Sequence, residues 1–122
     1  MSSVITSPPR VNANRPKTYP PVQARGRLFC GTDRIHDLVH GHAVLTLVKN
    51  DVATLFWCRA VLDAGKIVAL DLIGFGDGRT YRLVVEGDRL VCDCADSTYR
   101  GRTCKHASGL ADALVSPQEH AA

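Results

Sequence analysis

No stretch of this chain approaches the ~18 uninterrupted apolar residues that a membrane-spanning helix needs. The N-terminus also lacks the basic-then-apolar layout of a secretory signal, so the expected location is intracellular, in the cytoplasm, with no membrane partner. Aromatic residues are scarce at 6%, but the 45% apolar content is ordinary for a globular protein, and 122 residues make one small domain with a modest core. There is no internal repeat and no Gly-x-x-x-x-Gly-Lys loop to cradle a phosphate. No small-molecule substrate is therefore expected.

Acidic residues are missing from one region altogether. Residues 1–27 contain no Asp or Glu but carry Arg10, Arg15, Lys17, Arg25 and Arg27, so the formal net charge of +3 resides in this leader and the remainder is net negative. The same stretch holds five of the six prolines and shows no apolar period, so it cannot bury enough surface to offset its chain entropy. A disordered, basic, Pro-rich leader over 1–27 is expected, either merely solvated or able to meet phosphate backbones and acidic surfaces.

Beyond the leader the chain is patterned. Thr32 or Asp33 can cap a two-turn helix carrying Ile35, Leu38 and Val39 and stopped by Gly41. From Ala43 the apolar period shortens, and strands are expected at about 43–49, 54–61, 66–73, 80–86 and 89–94, separated by Asn50-Asp51, Asp63-Ala64-Gly65, the loop 74–79 and Gly87-Asp88. Phe56, Trp57 and Cys58 read as core. A loop over 95–102 leads to a C-terminal helix with Ala107, Leu110, Ala111 and Leu114 at helical spacing, Thr103 available as cap, and Gly109 costing ~1 kcal/mol relative to Ala. The fold class is α+β: an antiparallel β meander of about five strands, then a cysteine-rich knuckle and a short C-terminal helix. Its parts are the leader 1–27, a β-rich part 28–79, a cysteine-rich part 80–116 and a tail 117–122.

The cysteines carry the chemistry. Three of the five, Cys92, Cys94 and Cys104, fall within fifteen positions together with His106. In a reducing compartment such a cluster holds metal or performs redox chemistry more often than it forms staples, and an odd cysteine count leaves a thiol over in any disulfide framework. On a strand, Cys92 and Cys94 share a face, while Cys104 in the non-helical entry of the last helix lets it converge with His106. Three thiolates and an imidazole are a known closed tetrahedral set for one structural Zn2+, with the redox pair Cys92 and Cys94, or simply buried thiols, as the alternatives. A closed set leaves no position for an activated water, and the His-x-Glu plus Cys-x-x-Cys pattern of base deaminases is absent, so no enzyme is expected. His36, His40 and His42 form a second set of imidazoles and read as ordinary surface residues.

Cys92-x-Cys94, nine intervening residues, then Cys104-x-His106 running into an apolar helix resembles the SWIM-type zinc finger. The resemblance spans about residues 80–115. It implies that Cys92, Cys94, Cys104 and His106 are the zinc ligands and that Tyr81, Leu83 and Val85 form the preceding strand. Ala95 and Ser97 stand where the family often has Pro and an aromatic residue. The family is associated with DNA or protein binding, so a free-standing, non-catalytic SWIM module is expected to bind DNA or another nucleic acid, or alternatively a protein partner. Tyr99, Arg100, Arg102 and Lys105 are the candidate nucleic-acid contacts, although the same cations can also balance a zinc site that carries one net negative charge.

Overall fold

The computed structural model describes residues 20–31, 33–115 and 119–120 of the chain. Most of the leader and of the tail therefore lies outside the described residues. The elements in order are β1 (Arg25–Cys30), α1 (Arg34–His40), β2 (Ala43–Lys49), β3 (Val52–Asp63), β4 (Lys66–Gly74), β5 (Thr80–Glu86), β6 (Arg89–Cys92), α2 (Ala95–Arg100), α3 (Lys105–Val115) and β7 (Glu119–His120). The strands form one sheet in the order β6-β5-β4-β3-β2-β1-β7, antiparallel throughout except for the two-residue parallel pairing of β7 with β1. The α+β class holds, and the expected meander is β2–β6.

Turn chemistry sets the hairpins. Asn50 and Asp51 both take positive φ, 51° and 64°, which matches the strand twist of a tight two-residue hairpin between β2 and β3. Two strands go beyond the expected five. β1 begins at Arg25, ahead of the anticipated start near Leu28, and β7 adds a short edge. The stretch 95–102, expected as a loop, contains α2, ended by Gly101 in the left-handed region. At the other end, β6 stops at Cys92 and Cys94 serves as the N-cap of α2 in extended backbone, so the pair of cysteines straddles a strand end.

One sheet face carries the core. Leu28, Leu45, Phe56, Leu72 and Leu83 pack there with Leu38 of α1 and Leu110 of α3. Helix α1 is capped as expected: Asp33 accepts from the His36 amide at 2.7 Å and Gly41 closes it at φ 75°. Of its apolar residues only Leu38 is buried, while Ile35 is 59% exposed and the acidic Asp37 is buried instead. Asp37 accepts from the Gly31 amide, which ties the helix to the end of β1.

Helix α3 lies across β1 and β2 at unusually close range. A Cβ on Gly26 would fall 1.9 Å from the Gly109 carbonyl oxygen, and one on Gly109 would fall 2.8 Å from Leu47 Cγ. Gly109 is thus tolerated inside a helix because its missing side chain lets the helix backbone touch the sheet. The contact also sets the helix's rotation, so Gly109 and Ala113 are buried beside Ala107 and Leu110, whereas Ala111 is exposed. Gly26 and Ala24 are then tied to α3 by hydrogen bonds, Gly26 N–H to Asp112 Oδ2 at 2.9 Å and Ala24 N–H to Ser108 Oγ at 3.2 Å. Among the described residues no helix is long and apolar enough to cross a membrane.

Candidate metal centre

The close seating of α3 places its first turn against the end of β6. Lys105 begins the helix, so Cys104 occupies the N-cap, where its Sγ accepts from the Ala107 amide at 3.5 Å and its carbonyl accepts from Ser108 N–H at 3.0 Å. Cys104 rather than Thr103 is therefore the capping residue. Cys94 caps α2 in the same manner of backbone entry, its carbonyl accepting from Thr98 N–H at 2.8 Å. Two of the three clustered thiols thus sit at helix starts, where partial positive charge favours thiolate over thiol.

The four expected ligands meet. Cys92, Cys94, Cys104 and His106 are all buried, and one donor atom from each lies within 4.8 Å of every other. In a tetrahedron with Zn–S of ~2.3 Å and Zn–N of ~2.0 Å, sulfur and nitrogen stand ~3.5 Å apart. His106 Nδ1 lies 3.8 Å from Cys92 Sγ and 3.7 Å from Cys104 Sγ, so the spacing fits a single metal ion of that size. The five cysteines are all free thiols, with no disulfide among them.

Aromatic neighbours hold the imidazole. Tyr81 of β5 stacks on the His106 ring at 4.2 Å and 27°, and Phe56 of β3 meets it edge-on at 5.7 Å. These contacts fix the ring plane with Nδ1 toward the sulfurs. Sequence reasoning placed Tyr81 on the preceding strand and Phe56 in the core, but their role against His106 depends on a pairing two strands away and leaves no local signal.

Electrostatics of the thiols follows from crowding three of them together. The Cys104 thiol is pulled down to about 4, chiefly by the hydrogen bond it accepts from Cys92, with His106 and the Ala107 amide adding to it. Cys92 is pushed up because it donates that bond and is buried, and Cys94 is raised by burial. Protein groups alone therefore favour one thiolate, on Cys104. A divalent cation supplies the positive charge that lets the other two ionise, which is the condition for a three-sulfur site.

Around the cluster lies an open groove lined by Lys49, Arg100, Arg102 and Lys105 together with Asp96 and Val22. Of the candidate nucleic-acid contacts, Arg100 and Arg102 both bridge to Asp96, at 2.9 Å each. Lys105 stands at the start of α3, and Tyr99 is 85% exposed on α2. Lys49, from the β2–β3 hairpin, joins these cations. Sequence reasoning missed it because only the folded sheet brings position 49 to position 105. Val22 donates to the Thr103 carbonyl at 2.8 Å, so the chain enters the domain along this groove.

The other cysteines stand apart from the cluster. Cys30 and Cys58 are fully buried under the sheet, and burial pushes the Cys58 thiol up to about 12. Cys58 behaves as a small core hydrophobe, as expected, and Phe56 is likewise core. Trp57 is not: alternation along β3 turns it to the opposite sheet face, where it is 43% exposed.

Comparison with known proteins adds no relative: no family model matches the chain, and no curated protein and no solved structure matches it either.

Proposed function

We propose that this protein is a non-catalytic zinc module of the SWIM type, in which one Zn2+ ties the β5–β6 hairpin to α3 and the assembled surface binds nucleic acid. Zinc is favoured by the donor set, since three borderline-soft sulfurs and one imidazole at tetrahedral spacing suit it better than they suit the hard cations. Cys92, Cys94, Cys104 and His106 hold the ion, and all four positions being protein donors leaves none for a reacting water. The order Cys-x-Cys then Cys-x-His, from a strand end to a helix start, supports the SWIM reading.

The observation that carries nucleic-acid binding is the groove beside the metal cluster. Lys49 and the stretch carrying Arg100, Arg102 and Lys105 converge there from two separate places in the chain, and Asp96 is the one acid among the lining residues. The chain enters the domain at the same groove through Val22, and the sequence ahead of it carries Arg10, Arg15 and Lys17 with no acid. Phosphate backbones are the polyanions that such a spread of cations matches.

Fluorescence anisotropy of a labelled oligonucleotide across a salt series tests this reading. Affinity should fall linearly with log salt, and deleting residues 1–19 should flatten the slope by ~0.9 for each duplex phosphate that the leader neutralises. Absence of binding at low salt, or binding indifferent to salt, would overturn it.

A protein-interaction adaptor is the second reading, and one observation favours it. An open apolar pocket of about 350 Å3 lies between the last turn of α3 and the β4–β6 end of the sheet, lined by Ile67, Leu70, Val85, Leu90, Leu114 and the exposed Val115. Salt-insensitive capture of one protein partner, abolished by Leu114→Asp, would move the assignment to this reading.

A further inference from the structure

The face of the sheet opposite α3 carries its own pattern. Strand register sets Phe29, Val44, Trp57 and Ile73 in one row across β1–β4, with Arg27, Thr46 and Leu55 in a neighbouring row and Arg59, Asp71 and Arg82 on the other side. Phe29, Leu55 and Trp57 are 37%, 41% and 43% exposed. Phe75, from the β4–β5 loop and 46% exposed, stacks on Trp57 with ring centroids 4.9 Å apart and planes at 27°. Strand β3 and the turn after β4 thus display an aromatic pair toward solvent, and a contiguous exposed apolar patch is a mark of a binding surface.

Charge decides what suits this face. Its central acid, Asp71, is already engaged by Arg82 through hydrogen bonds of 2.7 and 2.9 Å. Arg59, two residues from Trp57 on the same face, makes no ion pair among the described residues. Face-to-face packing of a second copy would bury two Arg59 side chains without a carboxylate partner, which is costly. An anion that also presents π-faces meets both the rings and Arg59.

We propose that this face is a stacking platform for single-stranded nucleic acid, with Trp57 and Phe75 taking bases and Arg59 taking phosphate. A duplex keeps its base faces stacked inside and cannot use the rings, whereas an unpaired strand can. The inference rests on the nucleic-acid reading above and adds to it a second surface and a strand type.

Trp57 is the chain's one tryptophan, so its emission reports occupancy of this face alone. The zinc-loaded full chain is titrated with a labelled oligothymidine of about 12 nucleotides, within the length single-strand sites cover, while oligonucleotide anisotropy and Trp57 emission are read together. The expected result is quenching with the same midpoint as the anisotropy change, affinity at least ~10-fold weaker for Trp57→Ala, and intermediate affinity for Trp57→Phe. Arg59→Ala should also reduce the salt slope by ~0.7. Because Trp57 is half exposed, both tryptophan variants should keep their fold, which circular dichroism checks. Oligonucleotide binding with unchanged Trp57 emission, or with unaltered affinity in Trp57→Ala, overturns the platform and leaves nucleic-acid binding to the groove. No oligonucleotide binding at low salt overturns both. A dimer that forms without oligonucleotide and dissolves in Trp57→Ala gives the face to a second copy and overturns the platform.

Discussion

Gly109→Ala separates helix propensity from packing. On propensity alone, replacing glycine in a helix interior by alanine gains ~1 kcal/mol. The structure predicts the opposite sign, because the new Cβ would lie 2.8 Å from Cγ and 2.9 Å from Cδ1 of Leu47, a fully buried side chain. Carbon atoms pack comfortably at ~3.5–4.0 Å, so Leu47 or the helix must move by nearly ~1 Å, and overpacking of that kind costs about 1–3 kcal/mol. The net is a loss of up to ~2 kcal/mol, which at ~4–8 °C per kcal/mol for a domain this size lowers the melting temperature by as much as ~8–16 °C. Gly26→Ala is the harsher companion: its Cβ would meet the Gly109 carbonyl oxygen at 1.9 Å, and backbone cannot step aside as a side chain can. Its loss should exceed ~3 kcal/mol. Since α3 also delivers Cys104 and His106, both variants should bind metal more weakly as well. Urea unfolding of the metal-loaded proteins measures the first effect and chelator competition the second. A Gly109→Ala protein more stable than the parent would refute the close-packing account.

Cys104→Ser removes the sulfur that both caps α3 and serves the cluster, so metal content should fall to zero and hydrogen exchange should speed up in β6, α2 and the first turn of α3 while β2–β4 stay protected; uniform exchange across the sheet would contradict a local clamp. Asp96→Asn should cost about 1 kcal/mol or less, because the bridges it makes to Arg100 and Arg102 are partly solvent-screened, yet it should tighten oligonucleotide binding by removing the one acid among the groove's lining residues. Weaker oligonucleotide binding in that variant would count against the groove. Thiol titration of the metal-loaded protein should find all five cysteines slow, with chelation exposing Cys92, Cys94 and Cys104 and only denaturant exposing Cys30 and Cys58.

Local chemistry is legible in the sequence, and distant pairing is not. The edges of β2 and β5 fall where alternation and turn residues put them, and Asp33 and Gly41 mark α1 because capping is written in two residues. Strand β1 is hidden, since its inward positions are Gly26, Leu28 and Cys30, a mixture of sizes that reads as strand only once α3 is known to press on Gly26. Helix α2 lacks any buried residue, so it has no apolar period to detect, although the Asp96–Arg100 spacing and Gly101 are available as signals. The ligand set is legible because soft donors at strand-end and helix-start spacing are uncommon. The stacking of Tyr81 and Phe56 on His106 is not, nor is Lys49 beside Lys105, because both depend on which strands become neighbours. Trp57 reads as core only while it is grouped with Phe56 and Cys58 in one apolar run, whereas alternation along β3 assigns it to the face opposite theirs.

Native and denaturing mass spectra of the purified chain, both recorded without reductant, test the metal centre most directly. The expected result is a native species heavier by one zinc ion and, after denaturation, a chain whose five thiols are all free. A metal-free native species lighter by two hydrogens would show a disulfide in place of the clamp, and would contradict it.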